Sequence, residues 1–263
     1  MNNDSSVLQN YSAGRITDAL VNIDDIASAL ALDAGDSLLD IGCGPGVLTK
    51  LLADRVKSVK GIDSLPGMID QARRHNAAGN ITYALADCSH PEFWDEHRGM
   101  YDKAVANYVL HWIDIKDAFF EGVYDCLRPG GKLYVNISID TAINPITSIS
   151  QHTKDPRWET YMEGYEYPFY PIKDSKDDTL VKNLKVAGFS SIECEPKTHQ
   201  IFFKDKYRAR ANYKTFLGHS SRIPEELREE YVEDVLNFVI GKFERRDEAY
   251  VAEIELMTAV ATK

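Results

Sequence analysis

One acidic residue and three alternating glycines form the stretch of this chain best suited to binding a ligand. Asp40 ends an apolar run, and Gly42, Gly44 and Gly46 precede a segment with the apolar spacing of a helix. The pattern predicts a buried strand, a tight turn and a helix. Glycine suits such a turn because it adopts positive φ and lets a ligand approach the backbone without a Cβ in between. We therefore expect a nucleotide-like ligand at this turn.

The spacing of the glycines distinguishes between classes of nucleotide-like ligand. The dinucleotide fingerprint has glycine at its first, third and sixth positions. Counted from Gly42, the sixth position is Val47, and Asp40 stands two residues before the first glycine. The spacing therefore departs from the dinucleotide pattern. On these residues alone, a Gly-rich turn in another kind of α/β protein is an alternative.

Acidic residues also stand at the ends of the next two predicted strands. Asp63 ends the strand predicted over 58–62, where a carboxylate can accept hydrogen bonds from both hydroxyls of a ribose. Its alternative role is that of a helix N-cap. Asp87 follows the strand predicted over 81–86. There a carboxylate can accept from an adenine amino group, and the next backbone amide, that of Cys88, can meet a ring nitrogen.

The segment after the fourth predicted strand is placed to meet the reacting group of the ligand. This strand covers 101–107, so Asn107 stands at its carboxyl end and Tyr108–Trp112 follows. In open parallel sheets, ligands bind beyond the carboxyl ends of the strands, near the switch in strand order. His111 is therefore a candidate base or substrate contact, or else a histidine hydrogen-bonded to backbone. Trp112 is a candidate apolar wall for a substrate, or else part of the core.

The order and spacing of these motifs resemble those of the class I methyltransferases that use S-adenosylmethionine (SAM). The segments that carry the resemblance are 39–46, 61–63, 86–87, 102–112 and 127–131. The resemblance implies SAM as the cofactor, S-adenosylhomocysteine (SAH) as the product of the cofactor, and no metal. It also implies a set of cofactor-binding residues, namely Asp40, Gly42, Gly44, Gly46, Asp63, Met68, Asp87, Cys88 and Asn107. Among these, Met68 is expected to pack on the adenine face.

A narrower resemblance concerns the acceptor of the methyl group. The chain length, the segment Tyr108–Trp112 and the ending resemble the trans-aconitate and juvenile hormone acid methyltransferase group. Members of that group methylate free carboxylates, so the resemblance implies a small-molecule carboxylic acid as substrate. A carboxylate is ionised at neutral pH and needs no base. The alternatives are N- or O-methylation with His111 as base, and a SAM-binding partner protein that catalyses no methylation.

The resemblance also implies an α/β fold with helical cap insertions. The expected Rossmann-like sheet has seven strands in the order 3-2-1-4-5-7-6, and its last strand is antiparallel. A single methyltransferase domain then covers residues 1–263. The core of this domain takes about 33–140, 175–204 and 249–263, and the cap takes 1–32, 141–174 and 205–248.

Five residues of the predicted cap are candidate substrate contacts. Gln9 and Tyr11 lie near the start of an amphipathic helix, and Trp158 lies in the aromatic- and proline-rich segment 141–173, which is predicted to be a loop region rather than a long helix. Arg208 and Arg222 lie in a charged helical segment, and the planar fork of an arginine matches a carboxylate with two hydrogen bonds. The alternatives are solvated side chains for the first two residues, loop packing for the tryptophan, and surface ion pairs for the arginines.

Composition restricts the partners of the chain. It has 263 residues and a formal net charge of -11, which argues against a nucleic-acid partner because nucleic-acid binding depends on clustered Lys and Arg. No apolar run approaches the roughly 18 residues of a membrane span, and the first residues lack the order of a signal peptide. The four cysteines form no Cys-x-x-Cys pair, which excludes the usual zinc patterns. We expect a cytoplasmic enzyme with a small-molecule substrate, and the sequence does not predict its oligomeric state.

Overall fold

The computed structural model describes residues 23–88, 91–113, 116–141, 144–165, 172–214 and 216–263. Within these ranges, the side chains of Pro91, His111, Lys116 and Asp117 are not described. Two predicted substrate contacts, Gln9 and Tyr11, therefore lie outside the described residues, and so does the side chain of His111.

An eight-stranded sheet forms the centre of the described fold. Its strands are β1 (Ser37–Ile41), β2 (Ser58–Asp63), β3 (Ile81–Leu85), β4 (Tyr101–Ala106), β5 (Leu127–Ser138), β6 (Ser191–Phe203), β7 (Glu244–Arg246) and β8 (Ala249–Thr262). Seven of them lie in the order β3-β2-β1-β4-β5-β8-β6, and β7 pairs with β8 outside this path. Strands β1 to β5 pair in parallel, while β8 is antiparallel to both β5 and β6. The predicted order is confirmed, but the short strand β7 was not predicted, so the inserted last strand is the eighth.

Helices connect the strands of the sheet. The helix α1 runs through residues 23–30, and the others are α2 (Val47–Ala53), α3 (Pro66–His75), α4 (Pro91–Glu96), α5 (Lys116–Cys126), α6 (Pro145–His152), α7 (Thr179–Val186), α8 (Lys206–Lys214) and α9 (Glu225–Ile240). Short 3-10 turns lie at Leu110–Trp112, Glu159–Met162 and Gly218–Arg222. Of the helices in the described ranges, none is long and apolar enough to span a membrane.

The helix α6 corrects one expectation, because its residues belong to the segment predicted as an aromatic-rich loop. The side chain of Asn144 accepts a hydrogen bond from the backbone N–H of Ile146 at 3.0 Å, and Pro145 occupies the first helical position. Asparagine is a favoured N-cap, and proline is favoured at the first turn. These local signals start a helix in a segment whose aromatic and proline content suggested irregular backbone.

Helices cover both faces of the sheet because successive strand residues point to opposite sides. In β1, Leu38 and Leu39 are both fully buried. Leu38 belongs to a hydrophobic cluster with residues of α1 and α2, whereas Leu39 belongs to one with residues of α5 and α7. A parallel strand buried on both faces is apolar on both faces, which explains the adjacent apolar residues before Asp40.

A separate hydrophobic cluster, the cap core, lies among α6, α8, α9 and parts of β6 and β8. Tyr231 and Val235 of α9 are fully buried in it, together with Leu256 of β8. The next residue of β8, Met257, instead belongs to the cluster that covers the sheet beside α5 and α7. One strand therefore contributes to both the cap core and the sheet core.

Candidate functional site

Two adjoining cavities lie beyond the carboxyl ends of the parallel strands. Their volumes are about 300 Å³ and about 240 Å³, and we call them the first and second cavities. Residues that line both are Gly42, Asp63, Ser64, Val109 and Trp112. The first cavity extends to Ala86, Asp87 and Cys88 after β3. The second extends to Gly44, Leu65, Met68 and Tyr108. The cavities lie where the sheet order reverses between β1 and β4, which is the usual ligand position in such sheets.

The glycine turn between β1 and α2 approaches its surroundings too closely for side chains. Gly42, Gly44 and Gly46 all have positive φ, at 69°, 55° and 81°. A Cβ at Gly42 would lie 2.3 Å from a methyl group of Val109, and one at Gly46 would lie 2.4 Å from the Tyr83 hydroxyl. Gly42 and Gly44 line the cavities. Gly46 does not belong to either described lining, so its glycine is required by the packing of Tyr83.

Asp63 joins the glycine turn to the start of α3. One carboxylate oxygen accepts from the backbone N–H of Gly44 at 3.0 Å, and the other accepts from the N–H of Leu65 at 2.9 Å. A carboxylate offers about four acceptor positions. Asp63 can therefore hold the turn and bind a ligand hydroxyl at the same time.

Asp40 lies behind the turn and does not belong to the lining of either cavity. It is 2% exposed, and its carboxylate accepts from the Thr49 hydroxyl of α2 at 2.6 Å. Burial raises the pKa of Asp40 to about 6, the Thr49 hydrogen bond opposes that rise, and the charge of Asp63 adds to it. The structure therefore gives Asp40 a role in fixing α2 against β1.

Asp87 and Cys88 lie together on the wall of the first cavity. Burial raises the pKa of the Cys88 thiol to about 12, and the neighbouring Asp87 charge adds to the shift. The thiol is therefore neutral at physiological pH and acts as a small packing group. Met68 lines the second cavity and is almost fully buried.

Two hydrogen bonds of the buried Asn136 shape the segment after β4. The backbone N–H of Tyr108 donates to Oδ1 of Asn136 at 2.8 Å, and Nδ2 of Asn136 donates to Oδ1 of Asn107 at 2.6 Å. Tyr108 has a φ of 54°, and left-handed backbone costs a non-glycine residue roughly 1–2 kcal/mol. Asn107 is not in the lining of either cavity, whereas Tyr108 lines the second. The structure thus places Asn107 behind the cavity wall.

Trp112 lies where the two cavities meet the cap. Its ring is nearly parallel to that of Phe216, with 13° between the planes and 6.4 Å between the centroids. Phe216 in turn packs against the cap core. Trp112 therefore forms part of the apolar lining of both cavities.

The other described candidates of the cap lie outside the lining of both cavities. Trp158 is 2% exposed in the cap core, and its ring nitrogen donates to Asp234 at 2.7 Å. Arg208 is exposed and 3.7 Å from the Asp205 carboxylate. Arg222 donates to the backbone carbonyl of Glu163 at 2.9 Å. These positions favour packing for the tryptophan and surface contacts for the arginines.

Several lining residues were not among the predicted site residues, for example Ser64, Leu65 and Ile113, whereas Tyr108 and Val109 belong to the segment 108–112 that was expected to meet the reacting group. Each lies within two positions of a predicted site residue, after the end of β2 or β4. That adjacency was the available signal, because a turn that carries one ligand contact exposes its neighbours to the same cavity.

The comparisons with known proteins agree with this geometry. A family model described as a methyltransferase domain matches residues 38–131, a range that contains the glycine turn, Asp63 and Asp87. The juvenile hormone acid O-methyltransferase of Drosophila melanogaster is 24% identical to this chain. The alignment covers 99% of this chain and 92% of the relative. The chain is a class I SAM-dependent methyltransferase.

Two further likenesses extend the comparison. The trans-aconitate 2-methyltransferase of Streptomyces coelicolor is 32% identical to this methyltransferase where the two align. The alignment covers 48% of this methyltransferase and 41% of the relative. The solved structure of Haemonchus contortus phosphoethanolamine N-methyltransferase 2, in complex with S-adenosyl-L-methionine, has a TM-score of 0.56 at 17% identity. That likeness covers 92% of this methyltransferase and 52% of the solved chain, and it concerns the fold.

The residues present in the methyltransferase fit SAM. The described lining of the two cavities contains two carboxylates, those of Asp63 and Asp87, and no Lys or Arg. SAM carries a sulfonium and an ammonium but no pyrophosphate, so an acidic lining suits it better than a basic one. Gly42 and Gly44 also line the second cavity, where a glycine lets a ligand approach the backbone closely. As for metals, the described residues contain no cluster of three or more His, Cys, Asp or Glu that could hold an ion.

Proposed function

We propose that this methyltransferase acts on the free carboxyl group of a small organic acid and forms a methyl ester. The observation that carries the proposal is the similarity over 99% of the chain to a relative named juvenile hormone acid O-methyltransferase. The similarity to a relative named trans-aconitate 2-methyltransferase supports it, although it covers only 48% of the chain. Both names describe enzymes that act on acids.

In this proposal, Asp63 and Asp87 bind the adenosine part of SAM. Asp63 accepts from the ribose hydroxyls, Asp87 accepts from the adenine amino group, and the backbone after Asp87 meets the ring. Gly42 and Gly44 let the cofactor lie on the glycine turn, and Met68 packs against the adenine face of the cofactor. Asp40, Gly46 and Asn107 act one step behind the cavity wall, by holding the groups that bind.

The reaction requires alignment more than acid or base chemistry. When bound, SAM supplies a methyl group on a positively charged sulfur, which is a good leaving group. An oxygen of the acceptor carboxylate forms a bond to that methyl carbon as the carbon–sulfur bond breaks, and the electron pair stays on sulfur. Holding the reacting atoms in line can contribute roughly 7–11 kcal/mol.

The described cavity wall suits an acid with an apolar body. Val109, Trp112 and Ile113 form its apolar part on the side of the β4 segment. An apolar wall excludes water from the carboxylate, which strengthens the electrostatic interactions in the site. The carboxylate itself is already ionised at neutral pH, so it needs no base.

A panel of acceptors tests the proposal. The protein is incubated with methyl-labelled SAM and, separately, with small aliphatic and aromatic acids, amines and phenols. We expect label in a base-labile ester from acids. We also expect His111→Gln to keep acid methylation within about tenfold of the unaltered chain, because an ionised carboxylate requires no base. Transfer of label to amines or phenols instead, with a loss of orders of magnitude in His111→Gln, would favour the alternative in which His111 is the base.

The alternative of another class, a SAM-binding partner protein without catalysis, predicts a different pair of results. It requires tight binding of SAM by calorimetry and no labelled product from any acceptor in the panel. Labelled ester from a single acid eliminates it.

The proposal also treats residues 1–263 as one domain with a small-molecule substrate and no nucleic-acid partner. Added RNA or DNA should therefore leave SAM binding unchanged at any salt concentration.

A further inference from the structure

The side chain of Asn136 is fully buried at the place where one strand ends and its neighbour continues. Val135 of β5 pairs with Ala106, the last residue of β4. Asn136 is the next residue of β5, is 0% exposed, and pairs across the sheet with Thr258 of β8. A carboxamide in such a position requires hydrogen-bond partners. The partners it has belong to the segment after β4.

Both ends of this carboxamide are used. Beyond Ala106 the ladder between β4 and β5 has stopped, and the backbone N–H of Tyr108 donates to Oδ1 of Asn136 at 2.8 Å instead. A backbone N–H can only donate, so it fixes which end of the Asn136 amide is oxygen. The amino end then donates to Oδ1 of Asn107 at 2.6 Å. Asn136 thus holds two consecutive residues of the turn.

The turn that it holds has an unfavourable backbone conformation. Tyr108 has a φ of 54°, which an aromatic residue rarely adopts. Such a conformation persists when the surroundings determine it. The tyrosine lines the second cavity beside Gly42 and Gly44 and also packs against the cap core. Its conformation therefore sets one wall of the cavity.

We propose that Asn136 is a positioning residue for methyl transfer. By holding the turn through Asn107 and Tyr108, it keeps the Tyr108 wall in the place that the cofactor and the acceptor require. A displacement of about 1 Å at a distance from the reacting atoms can reduce a rate by about a hundredfold. The inference depends on the SAM dependence of the enzyme and not on the identity of the acceptor. Its primary readout is therefore the binding of SAH.

The first test is Asn136→Asp at two pH values. A protonated carboxyl can donate through its O–H and accept through its carbonyl oxygen, which reproduces the two hydrogen bonds of Asn136, whereas an ionised carboxylate only accepts. Burial raises the pKa of such a carboxyl, so the clamp should be intact at low pH. We expect the dissociation constant of SAH, measured by calorimetry, to be within about threefold of the unaltered chain near pH 5.5. At about pH 8.5 it should be weaker by at least about tenfold. Asp40 also titrates with a pKa of about 6, so the readout is the ratio of variant to unaltered chain at each pH.

The second test is Asn136→Leu, with and without Tyr108→Gly. Glycine adopts a positive φ without support, so removal of the clamp should matter less when glycine stands at position 108. We expect Asn136→Leu to weaken SAH binding at least about tenfold in the otherwise unaltered chain and less than about threefold in the Tyr108→Gly background. The matched control is Thr258→Val, a change of similar shape on the residue paired with Asn136, which should leave SAH binding unchanged.

Two results would overturn the inference. One is an Asn136→Leu protein that melts at a lower temperature but binds SAH and turns over acceptor as the unaltered chain does, because Asn136 would then be structural alone. The other is an Asn136→Asp protein whose binding ratio does not change with pH. If Asn136→Leu fails to fold, the pH ratio of Asn136→Asp decides the matter by itself.

Discussion

Replacing Asp63 should weaken cofactor binding and loosen the glycine turn together. Its two oxygens each accept from a backbone N–H, that of Gly44 at 3.0 Å and that of Leu65 at 2.9 Å, and it lines both cavities. Asp63→Ala removes the acceptor from both turns and from the proposed ribose contact. Hydrogen bonds to a charged group contribute about 1.5–3 kcal/mol each. Loss of two hydrogen bonds to the ribose should therefore weaken SAH binding by at least about a hundredfold.

Asp63→Asn is the matched control. An amide has one acceptor oxygen, so it can satisfy either Gly44 or Leu65 but not both. We expect Asn to weaken SAH binding by about tenfold or more and to lower the melting temperature as well. Both variants and the unaltered chain should be titrated with SAH by calorimetry, and folding should be checked by circular dichroism. A well-folded Asp63→Ala protein that binds SAH within about threefold of the unaltered chain would refute the proposed ribose contact.

The remaining predictions concern the glycine turn, the buried acid behind it and the cap. Gly42→Ala should weaken SAH binding at least about tenfold and destabilise folding by about 1–3 kcal/mol, because the new Cβ would lie 2.3 Å from Val109. Gly79→Ala, where a Cβ meets nothing within 4 Å, should do neither. The folded-state pKa of Asp40, about 6, exceeds the ordinary 3.8, so the folded state binds more protons in that range and stability should fall as pH rises through it. The loss should be about 3 kcal/mol, and denaturant titrations should find it absent in Asp40→Asn. Trp158→Phe removes the hydrogen bond to Asp234, so it should lower the free energy of unfolding by about 1 kcal/mol and leave SAH binding unchanged. Turnover of the acid acceptor should be unchanged as well, and a raised KM for that acceptor in the variant would return Trp158 to the substrate site.

The sheet could be predicted from the sequence because its signals are local. The apolar run before Asp40 and the glycines after it specify a strand, a turn and a helix through burial and backbone geometry alone. Asp63 and Asp87 could be placed at the same edge, because the carboxyl ends of parallel strands meet there. The helix α6 and the strand β7 were missed, since the first is signalled only by Asn144 and Pro145 and the second exists only by pairing with β8.

The role of a side chain was harder to predict than the position of its backbone. Asp40 stands at the right strand end, but its carboxylate binds the Thr49 hydroxyl rather than lining a cavity. Asn107 likewise turns toward Asn136. These outcomes depend on residues nine and twenty-nine positions away, and the sequence pattern carries no information about such tertiary partners. The cap contacts of Trp158 depend on tertiary packing in the same way.

The long pairing of β6 with β8 has a consequence for how this enzyme melts. The two strands are paired from Ser191 with Thr262 to Phe203 with Tyr250, so a single ribbon begins at the edge of the sheet and ends in the cap. One half of that ribbon packs its hydrophobic face against the cap core, and the other half packs against the cluster beside α5 and α7. Loss of either cluster would leave one half of the ribbon without a hydrophobic face. Beyond Leu256, β8 no longer pairs with β5, so the cap half of the ribbon depends on the cap core and on its continuity with the sheet half. Heating should therefore produce one cooperative calorimetric transition, and amide hydrogen exchange should protect both ends of β8 to the same degree.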